Sequence, residues 1–111
     1  ELWGTWCEPC IKNMPRLTAL QKKYADKDLV VIGYSWEEPE KVRKMVEQLG
    51  DKADYTLVND QTEQFMKVLA EDLELVESFP CSFVIDRKGK LVWSGHPEEG
   101  LELVVEKLFS I

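Results

Sequence analysis

Cys7 and Cys10 stand in the segment Trp6-Cys7-Glu8-Pro9-Cys10, a C-x-x-C spacing suited to reversible disulfide chemistry. If the pair opens a helix, the first thiol meets unpaired backbone N–H groups and the positive end of the helix dipole. That environment favours a thiolate, so Cys7 is the expected nucleophile and the accessible thiol. Cys10, inside the first helical turn, is placed to attack a mixed disulfide on Cys7 and release the reduced substrate. Pro9 fits a first turn, where no N–H donor is needed, and stiffens it. Glu8 has two readings: a like charge that tempers the acidity of Cys7, or a solvated residue favourable to the helix start.

Cys81 stands alone. It reads either as a small buried hydrophobe or as a third thiol that exchanges with the pair. Because C-x-x-C is also half of many zinc sites, a structural metal module built from Cys7, Cys10, Cys81 and His96 is an alternative. Trp6, Pro9 and the strand-to-helix context favour redox chemistry over metal. His96, the single histidine, lies between Gly95 and Pro97 in a loop context and is assigned no function. Of the four tryptophans, Trp6 adjoins the nucleophile and is the candidate to line a substrate groove; Trp3, Trp36 and Trp93 read as core or groove walls.

The elements that must position these residues are legible from punctuation and periodicity. Glu1, Leu2 and Trp3 look like the tail of a strand whose earlier residues are missing, and Cys10 to about Tyr24 carries Ile11, Met14, Leu17 and Leu20 at helical spacing. Leu29 to Ile32 is a β-branched apolar run, expected to be a central strand covered on both faces. Pro39 opens a short amphipathic helix with Val42, Met45, Val46 and Leu49 on one face, and Gly50 stops it. Tyr55 to Val58 reads as a strand. Asp60 with Glu63 then starts a helix carrying Phe65, Met66, Leu69 and Leu73. Ser82 to Ile85, the turn Asp86 to Gly89 and Lys90 to Trp93 form a hairpin, and Leu101, Val104, Val105 and Leu108 mark a last helix. Alternating strands and helices closed by a hairpin and a helix give an α/β three-layer domain with a mixed sheet.

With 111 residues, 44% of them hydrophobic, one core is affordable and a second is not, so residues 1–111 read as a single domain. The net charge of −7, with Lys and Arg scattered, argues against a nucleic-acid partner. No apolar run approaches the roughly 20 residues that span a bilayer, so stable membrane insertion of this domain is not expected. Three cysteines are too few, and odd in number, for a disulfide scaffold.

The segment Trp3-Gly4-Thr5-Trp6-Cys7-Glu8-Pro9-Cys10 resembles the active-site segment of thioredoxin-like proteins of the TlpA/ResA type, extracytoplasmic reductases of bacterial envelopes, several of which serve cytochrome c maturation. Pro15 falls where thioredoxins kink the active-site helix. Residues 50–56 resemble the extra αβ insertion of TlpA-like members, and residues 82–93 with Gly95-His96-Pro97 their C-terminal hairpin and loop. The resemblance implies a thioredoxin-like fold whose first strand is largely missing, so that residues 1–111 form a domain truncated at its N-terminus. It implies a thiol-disulfide oxidoreductase that reduces a protein disulfide with electrons from another thiol protein, without a diffusible cofactor, in the periplasm or envelope. It assigns Phe79-Pro80 as a cis-proline pair facing the cysteines, with the Phe79 backbone pairing an extended substrate and Trp6 and Pro9 beside it. It places Glu1 where thioredoxins bury a carboxylate that helps deprotonate the second cysteine. After the proline the family usually has a hydroxyl residue; here it is Cys81. A thioredoxin-fold peroxidase is a further alternative, weakened because no Thr-x-x-Cys helix start with a nearby arginine precedes Cys7, the nearest arginine being Arg16.

Overall fold

The computed structural model describes residues 1–62, 64, 67 and 80–110. Helix α1 (Glu8–Lys23) begins on Cys7, whose extended backbone makes it the N-cap, with Pro9 in the first turn and Lys22 and Lys23 in the last, where their charges complement the dipole. It buries Cys10, Met14, Leu17, Thr18 and Leu20 along one face, and Pro15 lies within it without ending it. Helix α2 (Pro39–Leu49) starts on its proline and stops at Gly50 as its sequence implies. It buries Val42 and Leu49 against Trp3, Cys10 and Met14. Helix α3 (Leu101–Phe109) packs Leu101 and Val105 against Leu17 and Leu20 of α1 and Tyr24 just beyond it.

Thr18 ties α1 to the tight turn Gly50–Ala53 that follows α2. Its hydroxyl donates to the Lys52 carbonyl at 2.7 Å and accepts the Asp54 N–H at 3.0 Å, so a buried polar group is satisfied on both sides. Between α1 and α3, Arg16 pairs with Glu102 at 3.1 Å and Glu98 at 3.7 Å, an exposed contact of small energetic weight.

Strand β1 (Ile32–Ser35) runs parallel to β2 (Thr56–Asn59), with Ile32 opposite Thr56 and Ser35 opposite Asn59. Strand β3 (Ser82–Ile85) runs antiparallel to β4 (Leu91–Gly95) through the turn at Asp86 to Gly89, where Gly89 takes φ 80° and donates to the Asp86 carbonyl. The two pairs are joined by Leu2, which bridges Tyr34 in parallel and Cys81 in antiparallel fashion. The order across the sheet is therefore β2, β1, the Glu1–Trp3 segment, β3, β4. This is the mixed sheet expected, with the Glu1–Trp3 segment at its centre. Side chains alternate across it: Trp3 joins the cluster under α1 and α2, whereas Leu2 packs with Tyr34 and Cys81 in another.

One expectation needs correction. The strand expected over Leu29–Ile32 begins at Ile32, and the side-chain amide of Gln21 holds the backbone of the residues before it. That amide donates to the Leu29 carbonyl and accepts the Val31 N–H, each at 2.7 Å. Val31 is buried, whereas Val30 and Ile32 are exposed. The helix expected to carry Phe65, Met66, Leu69 and Leu73 lies outside the described residues.

Candidate active site

The turn that carries the cysteine pair is built from Gly4 to Cys7, closed by the Cys7 N–H donating to the Gly4 carbonyl at 3.0 Å. Gly4 lets the Trp6 indole fold back over it, since a Cβ there would stand 2.5 Å from the indole Nε1 and force the ring to shift. Cys7 then caps α1, and the Cys10 N–H points to its sulfur at 3.2 Å. The two cysteines form a disulfide, with Cα atoms 5.2 Å apart. The spacing, the helix start and the redox pair thus coincide as the sequence implied.

The disulfide is sheltered. Cys7 is 3% exposed and Cys10 1%, so in the disulfide form neither sulfur stands open, and both belong to the cluster of Trp3, Met14 and Val42. Trp6, 64% exposed, and Pro9, also exposed, form the surface beside them. Glu8 turns away into solvent, its side chain 78% exposed and paired with Lys12 one helical turn on at 3.3 Å. That position matches the reading of Glu8 as a helix-start charge.

Glu1 is half-buried beside the hairpin, where its carboxylate accepts the Ser82 hydroxyl. Burial raises its pKa, opposed by the Ser82 hydrogen bond and by His96. The same carboxylate adds to the burial that raises the Tyr55 hydroxyl and the Cys81 thiol. The Tyr55 hydroxyl and the Trp3 indole N–H are buried without a hydrogen-bond partner among the described residues. Cys81 is a buried free thiol packed with Leu2 and Tyr34, in a different cluster from the disulfide, which matches its reading as a small hydrophobe. Pro80 is buried next to it. Phe79, and with it the Phe79-Pro80 peptide bond, lies outside the described residues.

The alternative ligand set is not assembled: Cys7 and Cys10 are bonded to each other, and His96 accepts the Glu98 N–H through Nδ1 as the cap of a short turn. No group of three or more metal-ligating side chains occurs among the described residues. Arg16, the arginine considered for a peroxidase, is engaged by Glu98 and Glu102.

Glu37, just beyond β1, is a site residue that periodicity did not reveal. Its carboxylate accepts both the Thr5 N–H, at 2.6 Å, and the Thr5 hydroxyl, at 2.7 Å, from the middle of the redox turn. A contact across so long a stretch of chain leaves no local signal.

A strand feeding a turn, a C-x-x-C disulfide at a helix start and a half-buried carboxylate beside the sheet define a thioredoxin-fold thiol-disulfide centre. The chain belongs to the redoxin family, whose model matches residues 1–108, and within it is TlpA/ResA-like. It is 36% identical over 91 residues to the thioredoxin-like protein YneN of Bacillus subtilis (strain 168), covering 80% of this chain and 49% of that protein. It is 34% identical over 93 residues to the thiol-disulfide oxidoreductase ResA of Bacillus anthracis, covering 83% and 50%. The matched region is thus about half the length of these relatives. A solved thiol:disulfide interchange protein from Bacteroides sp. superposes with a TM-score of 0.80 at 26% identity, covering 99% of this chain and 70% of that one. A thioredoxin family protein from Chlorobium tepidum TLS, 21% identical with a TM-score of 0.75 and covering 96% and 75%, shares the fold.

Proposed function

We propose that this chain reduces disulfides in protein substrates, the Cys7 thiolate attacking a substrate sulfur and Cys10 resolving the mixed disulfide. The observation that carries this reading is the Cys7–Cys10 disulfide at the N-cap of α1, where a thiolate on Cys7 meets the Cys10 N–H and the helix dipole. In the first step the Cys7 sulfur bonds to one substrate sulfur and the other leaves as a thiolate. In the second, Cys10, having lost its proton, attacks Cys7, the internal disulfide forms and the second substrate thiol is released. By the family resemblance, Glu1, half-buried beside the hairpin, is the acceptor for the Cys10 proton. Trp6 and Pro9, exposed beside the pair, contact the substrate, together with Pro80 and the backbone of Phe79. Another thiol protein returns the pair to the dithiol. Kinship with ResA-type proteins supports an extracytoplasmic site of action, and no helix among the described residues is long and apolar enough to cross a membrane.

Cysteine variants test the assignment. Cys7→Ser abolishes reduction of a protein disulfide, whereas Cys10→Ser accumulates mixed disulfides on Cys7. Brief alkylation of the reduced protein labels Cys7 first. Preferential labelling of Cys10, or a Cys7→Ser variant that still forms mixed disulfides, overturns the reading.

A further inference from the structure

We propose that Glu37 is a positioning residue for the redox centre, acting by clamping Thr5 so that the turn delivers Trp6 and Cys7 in one orientation. Thr5 sits inside the turn closed by Gly4 and Cys7, two residues before the nucleophile. Both of its donors go to one carboxylate, the N–H to Oε1 and the hydroxyl to Oε2, a two-point contact that fixes direction as well as distance. The side chain of Glu37 is only 14% exposed, so solvent competes weakly for those bonds.

Glu37 is itself held. Its N–H donates to the Ser35 hydroxyl at 3.3 Å, and its carbonyl accepts from the Asn59 amide at 2.9 Å. The Asn59 amide also reaches the Ser35 carbonyl at 3.3 Å, locking the ends of β1 and β2 together. A continuous path therefore runs from the end of β2, through Asn59, Glu37 and Thr5, to the turn that ends on Cys7. Lys41 on α2 lies 3.9 Å from the Glu37 carboxylate, and Glu8 on α1 is neutralised by Lys12. The clamp rests on Cys7 being the nucleophile, since it acts only on the turn that carries Cys7.

The sign of the change in the Cys7 titration separates three roles. Thr5→Val removes the hydroxyl donor with no change of charge, Thr5→Ser keeps it, and Glu37→Gln keeps the shape but replaces one acceptor with a donor. Positioning predicts that Thr5→Val and Glu37→Gln both raise the Cys7 thiol pKa. Both also slow attack on a small aromatic disulfide near neutral pH about three- to tenfold, the range given by losing one or two hydrogen bonds. Thr5→Ser matches wild type, and the double variant is no worse than the worse single one. If the carboxylate acted only by its charge, Glu37→Gln would lower the Cys7 pKa and Thr5→Val would leave it alone. A purely structural contact would lower the melting temperature with wild-type pH–rate profiles. Either of those patterns overturns the proposal. A Cys7→Ser control that still reacts overturns instead the assignment of the nucleophile, so the two failures are distinct.

Discussion

Reducing the Cys7–Cys10 bond should destabilise the fold, and the size of the effect reports how far folding shifts the potential of the pair. The disulfide joins residues three apart in sequence. Closing a ring of about four residues restricts the unfolded chain enough to stabilise the native state by about 2 kcal/mol in the chain-entropy model. Against this, the dithiol form gains from a thiolate on Cys7 at the start of α1, worth about 0.3–1 kcal/mol. The oxidised protein should therefore be more stable by about 1–2 kcal/mol. By linkage the folded pair is then harder to reduce than the same C-x-x-C in the unfolded chain, by about 20–40 mV at roughly 30 mV per 1.4 kcal/mol. Urea unfolding of the oxidised protein, and of the protein kept reduced with excess phosphine, measures the difference. With a slope of about 1–3 kcal/mol per molar, the oxidised midpoint should lie higher by about 0.3 to 2 M. A reduced form more stable than the oxidised one would mean that the fold favours the dithiol. The folded pair would then be more oxidising than the unfolded C-x-x-C, and the reasoning from loop closure would be refuted.

Other perturbations have smaller and more local consequences. Glu8→Gln should change the Cys7 pKa little, because the carboxylate is solvent-facing and already paired with Lys12; a thiolate titration by ultraviolet absorbance checks it, and a large shift would restore Glu8 to the site. Thr18→Val should lower stability by about 1–3 kcal/mol, since it strips partners from the Lys52 carbonyl and the Asp54 N–H at once, while the redox equilibrium with glutathione stays as in wild type. Burial raises the Glu1 carboxyl in the folded state, so its contribution to stability is present below the ordinary glutamate range and is lost as pH rises through the raised value. Glu1→Gln should flatten that part of the profile of melting temperature against pH.

What the sequence made legible is what local rules govern. Pro39 and Gly50 bracket α2, Gly89 turns the hairpin, and Cys7 followed by Pro9 marks the start of α1, each a signal carried within a few residues of its effect. The family resemblance placed Glu1 where thioredoxins bury a carboxylate, but did not reveal its bond to Ser82. The side chains that refine the site act over long separations and have no periodicity. Gln21 holds the backbone before β1; Ser82 meets Glu1 across nearly the whole chain; Glu37 reaches back to Thr5. Glu8 failed to enter the site for a related reason. Its neighbour in sequence is Cys7, but its neighbour on the helix surface is Lys12, and the i,i+4 relation wins.

The geometry of the disulfide centre is set by strand register more than by the turn that bears it. Leu2 donates its N–H to Cys81 on one side, while Trp3 donates to Tyr34 on the other, so the strand entering the turn is held from both flanks. A slip of one residue would send Trp3 out of the cluster that holds both cysteines and bring Leu2 into it, because alternate residues face opposite sides of a sheet. It would also move Thr5 by one residue relative to Glu37, which sits at the end of β1 and cannot follow. Both anchors of the turn therefore belong to the sheet: the ladder at Leu2 and Trp3 sets where the chain leaves it, and Glu37 sets how the chain is oriented two residues before the nucleophile. Cys7 inherits its position at the start of α1 from those two constraints, which is why residues remote from sulfur chemistry decide how the thiolate is presented.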